Sequence, residues 1–148
     1  MAGGFTTRDV DTLTAIKHDV QKSMTYITDQ DKWRMVDYWE SDQVLLPTVL
    51  NNKRIATDCE EMAMVSMRKA IDAGYKARLI ICLDEIKEGH CICEVVSADG
   101  TQAYYFDNRR LGISTQQGLT GYFFYSGSPW NPQPGDQRPW VLINKQAS

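Results

Sequence analysis

The chain has 148 residues, enough for one domain that hides roughly 70% of the surface its unfolded form exposes. It is 43% hydrophobic and 24% charged, too apolar for disorder, and a net charge of -3 gives no electrostatic reason to expect nucleic acid. No apolar run approaches the ~20 residues needed to cross a bilayer, and the start lacks the basic and apolar regions of a secretory leader.

These features predict one domain over 1–148, without a nucleic-acid or membrane partner. They also predict a cytoplasmic protein (the host cytoplasm if the chain is viral). The four cysteines, Cys59, Cys82, Cys91 and Cys93, are expected to be free thiols, because an intracellular chain of this length needs no staples.

Residues 7–28 read as a first helix. Val10, Leu13, Ile16, Val20, Met24 and Ile27 recur at steps of three or four, Thr6 or Thr7 can cap the start, and His18 falls opposite the stripe, in solvent. Asp29-Gln30-Asp31 breaks the pattern before a short second helix over 33–40. Residues 41–57 are irregular, with Pro47 and the Asn51-Asn52 turn pair.

The next helix has a strong start, since Thr57 with Glu60 and Asp58 with Glu61 both fit a capping box. Gly74 stops it. Its many apolar positions point to burial on more than one side.

After Gly74 the period becomes two. Residues 77–83 and 90–96 read as strands about the charged turn 84–89, and 102–106 follows the Asp99-Gly100 turn. Residues 122–125 and 140–144 are further strand candidates, separated by a Pro/Gly loop over 126–135. Helices first and strands later predict an α+β fold.

Cys59 opens the central helix in Thr57-Asp58-Cys59-Glu60-Glu61, His90 follows Gly89 at the mouth of a strand, and Asp107 closes the next strand. A cysteine nucleophile needs a thiolate, a base to keep it ionised and an acid to orient the base. A helix N-terminus favours the thiolate, and its unpaired N–H groups suit an oxyanion. If the hairpin folds about Asp99-Gly100, His90 and Asp107 lie at the same end of neighbouring strands. Singly, the three read as a buried cysteine, a turn histidine and a turn aspartate. Asp58, Glu60 and Glu61 oppose ionisation of the thiol unless an imidazolium or a cation offsets them. Cys91-Ile92-Cys93 with Cys82 and His90 lacks the usual Cys-x₂₋₄-Cys spacing of a zinc site.

Taken together, Trp33 with Asp37-Tyr38-Trp39, Asp58-Cys59-Glu60-Glu61-Met62-Ala63, Gly74 with Arg78-Leu79, Gly89-His90 and Phe106-Asp107-Asn108-Arg109 resemble the bacterial transglutaminase-like cysteine proteinases of the LapG-like kind. The resemblance covers about residues 33–109 and departs from the family pattern at Thr57 and Glu61. It implies a papain/transglutaminase-like α+β fold, with the nucleophile's helix packed on an antiparallel sheet. It assigns Cys59 as nucleophile, His90 as general base and Asp107 as orienting acid, and it implies calcium held by Asp58 and Glu60.

The expected activity is therefore cleavage of a peptide bond in a protein or peptide substrate through an acyl-enzyme. An amidase or transglutaminase on the same triad, and a non-catalytic binding module that keeps the fold, are the alternatives. Nothing in the sequence sets the oligomeric state.

Overall fold

Thr6 starts the first helix through a reciprocal box. Its hydroxyl accepts the Asp9 N–H at 3.1 Å and the Asp9 carboxylate accepts the Thr6 N–H at 2.9 Å, so of the two candidate caps Thr6 serves. The computed structural model describes residues 4–23, 57–110, 112–133 and 136–147, with the backbone alone for 23 and 57–61. Helix α1 spans Thr7–Ser23. The expected continuation to residue 28 and the helix over 33–40 lie outside the described residues. Leu13 and Val20 are buried and His18 is exposed, as the stripe predicts.

Helix α2, Thr57–Asp72, begins and ends where the sequence indicates. At its C-terminus the Gly74 N–H reaches Ile71 O at 2.9 Å and the Tyr75 N–H reaches Ala70 O at 3.0 Å, the paired bonds of a Schellman motif. Gly74 has φ +96°, which an L side chain disfavours. The chain therefore reverses within three residues and enters the sheet.

The five strands are β1 Lys76–Leu83, β2 Gly89–Val96, β3 Ala103–Phe106, β4 Phe123–Gly127 and β5 Val141–Gln146. They form one sheet in the order β3-β2-β1-β4-β5, antiparallel at every junction. Helices and then an antiparallel sheet make this an α+β fold, as expected. No described helix is long and apolar enough to cross a membrane.

Alternation along β1 and β2 divides the core in two. Leu79, Ile81, Cys91, Cys93 and Val95 face Ala63, Met64, Met67 and Ala70 of α2, with Leu13 of α1 behind them. Helix α2 is thus covered by the sheet on one side and by α1 on another, which explains its wide apolar surface. Burying each such large side chain contributes roughly 1.5–3 kcal/mol.

Ile80, Cys82 and Ile92 face the other way and meet Tyr105, Leu119, Tyr122 and Phe124. Glu94 shares that second face, buried but satisfied by Arg78 Nε and the Tyr105 hydroxyl, each at 2.7 Å.

Candidate active site

The β1–β2 turn is shaped by Asp84, whose Oδ1 accepts the N–H groups of Ile86 at 3.0 Å and Glu88 at 2.8 Å. This delivers Gly89 and His90 to the head of β2, with His90 opposite Cys82 of β1. Beyond β3, the Arg110 N–H closes a turn on Asp107 O at 3.1 Å, and Asp107 Oδ1 accepts the Arg109 N–H at 3.0 Å. The two turns are linked by Arg109 Nη1 and Asp84 Oδ2 at 3.0 Å.

His90 and Asp107 meet at this end of the sheet. His90 Nε2 lies 2.7 Å from Asp107 Oδ1 across the 17 residues that separate them. Both side chains are buried, at 1% and 0% exposure, so His90 is not the surface histidine that its turn position alone would suggest. Burial by itself would raise the Asp107 carboxyl pKa. The His90 hydrogen bond, the Arg109 N–H and the Tyr122 hydroxyl outweigh it and hold the group at about 2. Asp107 is therefore a carboxylate and can only accept, so the proton between the two groups sits on Nε2. The opposite ring nitrogen, Nδ1, is buried and has no hydrogen-bond partner among the described residues.

Two residues that the sequence did not single out complete this cluster. Lys17 of α1 is fully buried and donates to Asp107 O at 2.6 Å and Arg110 O at 2.9 Å. Burial pushes its ammonium pKa down, opposed by the nearby Asp107 charge. The Tyr122 hydroxyl donates to Asp107 Oδ2 at 2.7 Å. A signal for Lys17 was present, since it lies between Leu13 and Val20 on the apolar face. Tyr122 gave none, because only the fold brings it across from a separate segment.

Cys59 lies in the first turn of α2, and its side chain, with those of Asp58 and Glu60, is outside the described residues. The backbone sets its approach. Helix α2 has 16 residues and β1 has 8, so each is about 25 Å long. The tight turn at Gly74 returns the chain into β1, and α2 packs on β1 and β2 through Ala63, Met64, Met67 and Ala70. The faces differ, however. By alternation His90 shares the side of Ile92 and Glu94, whereas α2 covers Cys91 and Cys93.

The remaining thiols, Cys82, Cys91 and Cys93, are buried and form no disulfide. Among the described residues no three His, Cys, Asp or Glu side chains gather as metal ligands.

A model of the bacterial transglutaminase-like cysteine proteinase family matches residues 3–148. The chain belongs to that family. The match extends well beyond residues 33–109, taking in α1 with Lys17 and the segments carrying Tyr122, β4 and β5. Family membership makes this chain a transglutaminase-like cysteine peptidase, and a proteinase acts on protein substrates. No curated protein and no solved structure gave a match.

Proposed function

We propose that this peptidase cleaves a peptide bond through a Cys59-His90-Asp107 triad and an acyl-enzyme, on a papain-like arrangement of helix and sheet. The observation that carries the reading is the buried His90–Asp107 pair at 2.7 Å with Nδ1 left unpartnered among the described residues. A carboxylate on one ring nitrogen fixes the tautomer and stabilises the imidazolium, so the other nitrogen is the one able to exchange a proton with a thiol.

The Cys59 sulfur starts in a helix first turn, where partial positive charge favours the thiolate. Because α2 and His90 occupy different faces, the sulfur approaches Nδ1 around the Gly89 end of β2. The thiolate attacks the substrate carbonyl, and N–H groups of the α2 first turn receive the oxyanion. Collapse of the tetrahedral intermediate breaks the C–N bond as Nδ1–H protonates the leaving amine. His90 then takes a proton from water, whose oxygen attacks the thioester and releases the acid and the thiol.

Calcium belongs to this proposal through Asp58 and Glu60, which offer the hard carboxylate oxygens that calcium takes. Bound there, it would offset the acidic residues around Cys59. No step of the reaction passes through it.

The decisive assay is chemical. Iodoacetamide should label Cys59 in the folded protein ahead of Cys82, Cys91 and Cys93, which are 0–1% exposed, and Cys59→Ala should abolish turnover. Labelling of all four thiols at one rate, or retained turnover in Cys59→Ala, defeats the triad.

A further inference from the structure

Asp107 is held by more than its histidine. Oδ1 takes the His90 Nε2–H and the Arg109 N–H. Oδ2 takes the Tyr122 hydroxyl, with Arg110 Nε at 3.4 Å on the same oxygen. An ionised carboxylate has about four acceptor sites, so both oxygens of Asp107 are engaged, and turning the group about its Cβ–Cγ bond would break both sets at once.

Tyr122 is itself fixed. Its N–H donates to Leu119 O at 3.1 Å, and its carbonyl accepts the Ala147 N–H at 2.9 Å and Gln146 Nε2 at 2.8 Å. Its ring meets the His90 ring edge-on, with centroids 5.4 Å apart at 62°, and carries the Arg110 guanidinium 5.5 Å from its own centroid. The side chain is 4% exposed. One residue therefore touches both members of the pair and belongs to neither strand that bears them.

We propose that Tyr122 is a positioning residue for the catalytic pair: by occupying Asp107 Oδ2 it directs Oδ1 onto His90 Nε2, and its ring walls the imidazole in the orientation that leaves Nδ1 bare. The proposal rests on the His90–Asp107 reading given above. It carries an electrostatic consequence that packing alone would not produce. A hydroxyl donating to a carboxylate lowers its basicity, so Tyr122 moderates how strongly Asp107 stabilises the His90 imidazolium. Among the described residues, the charged and titratable groups around the pair include Lys17 from α1, Cys82 from β1, Asp84 through its ion pair with Arg109, Arg109 and Arg110 from the turn after β3, and Tyr122. Of these, Arg110 Nε at 3.4 Å is the other donor beside Oδ2, and the neutral hydroxyl at 2.7 Å is the closer of the two.

The test is an NMR titration of the two histidines in the full chain carrying Cys59→Ala, so that no thiol titrates with the ring. Tyr122→Phe keeps the ring and deletes the hydroxyl. It should move the His90 midpoint up by roughly 0.5–1 pH unit while exposed His18 stays where it was. With Cys59 restored, Tyr122→Phe should lower kcat about tenfold with KM unchanged. Incorporation of 3-fluorotyrosine, whose hydroxyl donates more strongly, should move the His90 midpoint the other way without a mutation. A His90 midpoint indifferent to both changes overturns the role of Tyr122. The same titration on Asp107→Asn separates the two claims, because a His90 midpoint that fails to fall there removes the underlying pair itself.

Discussion

Replacing Asp107 by Asn is the sharpest perturbation of the site, because it removes a charge and little else. The amide oxygen can still accept from His90 and Arg109, and the Tyr122 hydroxyl can rotate to accept from the amide nitrogen, so the shape of the cluster survives. What is lost is the preference for a carboxylate. The folded protein holds Asp107 at about 2 against an ordinary 3.8, and at about 1.4 kcal/mol per tenfold change in proton affinity this is worth about 2 kcal/mol.

The sign follows from the direction of the shift. A depressed carboxyl contributes its full stability above pH 4 and loses it as pH falls toward 2, so the contribution is about half gone at pH 3. Asp9, Asp84, Asp99 and Asp136 are also held low, so the acid slope of the whole protein is not diagnostic. The difference between the two proteins is.

Urea unfolding of the parent chain and of Asp107→Asn at pH 7, 5, 4 and 3 should give a gap of about 2 kcal/mol at pH 7 that shrinks between pH 4 and pH 3, where Asp107 itself takes up a proton. The variant should also lose on the order of a hundredfold or more in kcat/KM, since its imidazolium has no anion behind it. Equal stabilities at pH 7, or a gap that does not close with acid, would refute the electrostatic account of the pair.

Lys17→Met keeps the stem of the side chain and removes the ammonium from two buried carbonyls, so stability should fall by about 2–3 kcal/mol. Denaturation midpoints check this, and an unchanged midpoint means that Lys17 does not hold the Asp107–Arg110 turn. Millimolar calcium should raise the melting temperature of the chelator-treated protein, and Asp58→Asn with Glu60→Gln should erase that rise. A melting temperature indifferent to calcium removes the ion from the proposal.

Much of the site's framework was legible along the chain because it rests on local chemistry. Gly74 at φ +96° ends α2, the period of two marks β1 and β2, and a hairpin about Asp99-Gly100 obliges His90 and Asp107 to share one end of neighbouring strands. Family membership followed from short runs such as Asp58-Cys59-Glu60, whose order survives without any knowledge of the fold.

Three things could not be read that way. Lys17 broke an apolar stripe, and without the turn it supports there was no reason to bury an ammonium. Tyr122 looked like the start of a strand, and its hydroxyl gains meaning only when the sheet order puts its segment beside the end of β2. The face of β2 that His90 occupies was set by which residues met α2.

The sequence alone thus determined the described helices and strands and the pairing of histidine with aspartate, because each depends on neighbours a turn or a hairpin away. Tertiary structure decided how the aspartate is held and which face of β2 the imidazole occupies. Those answers come from α1, the segment before β4 and the packing of α2, which are remote in the chain and adjacent only once the core has closed.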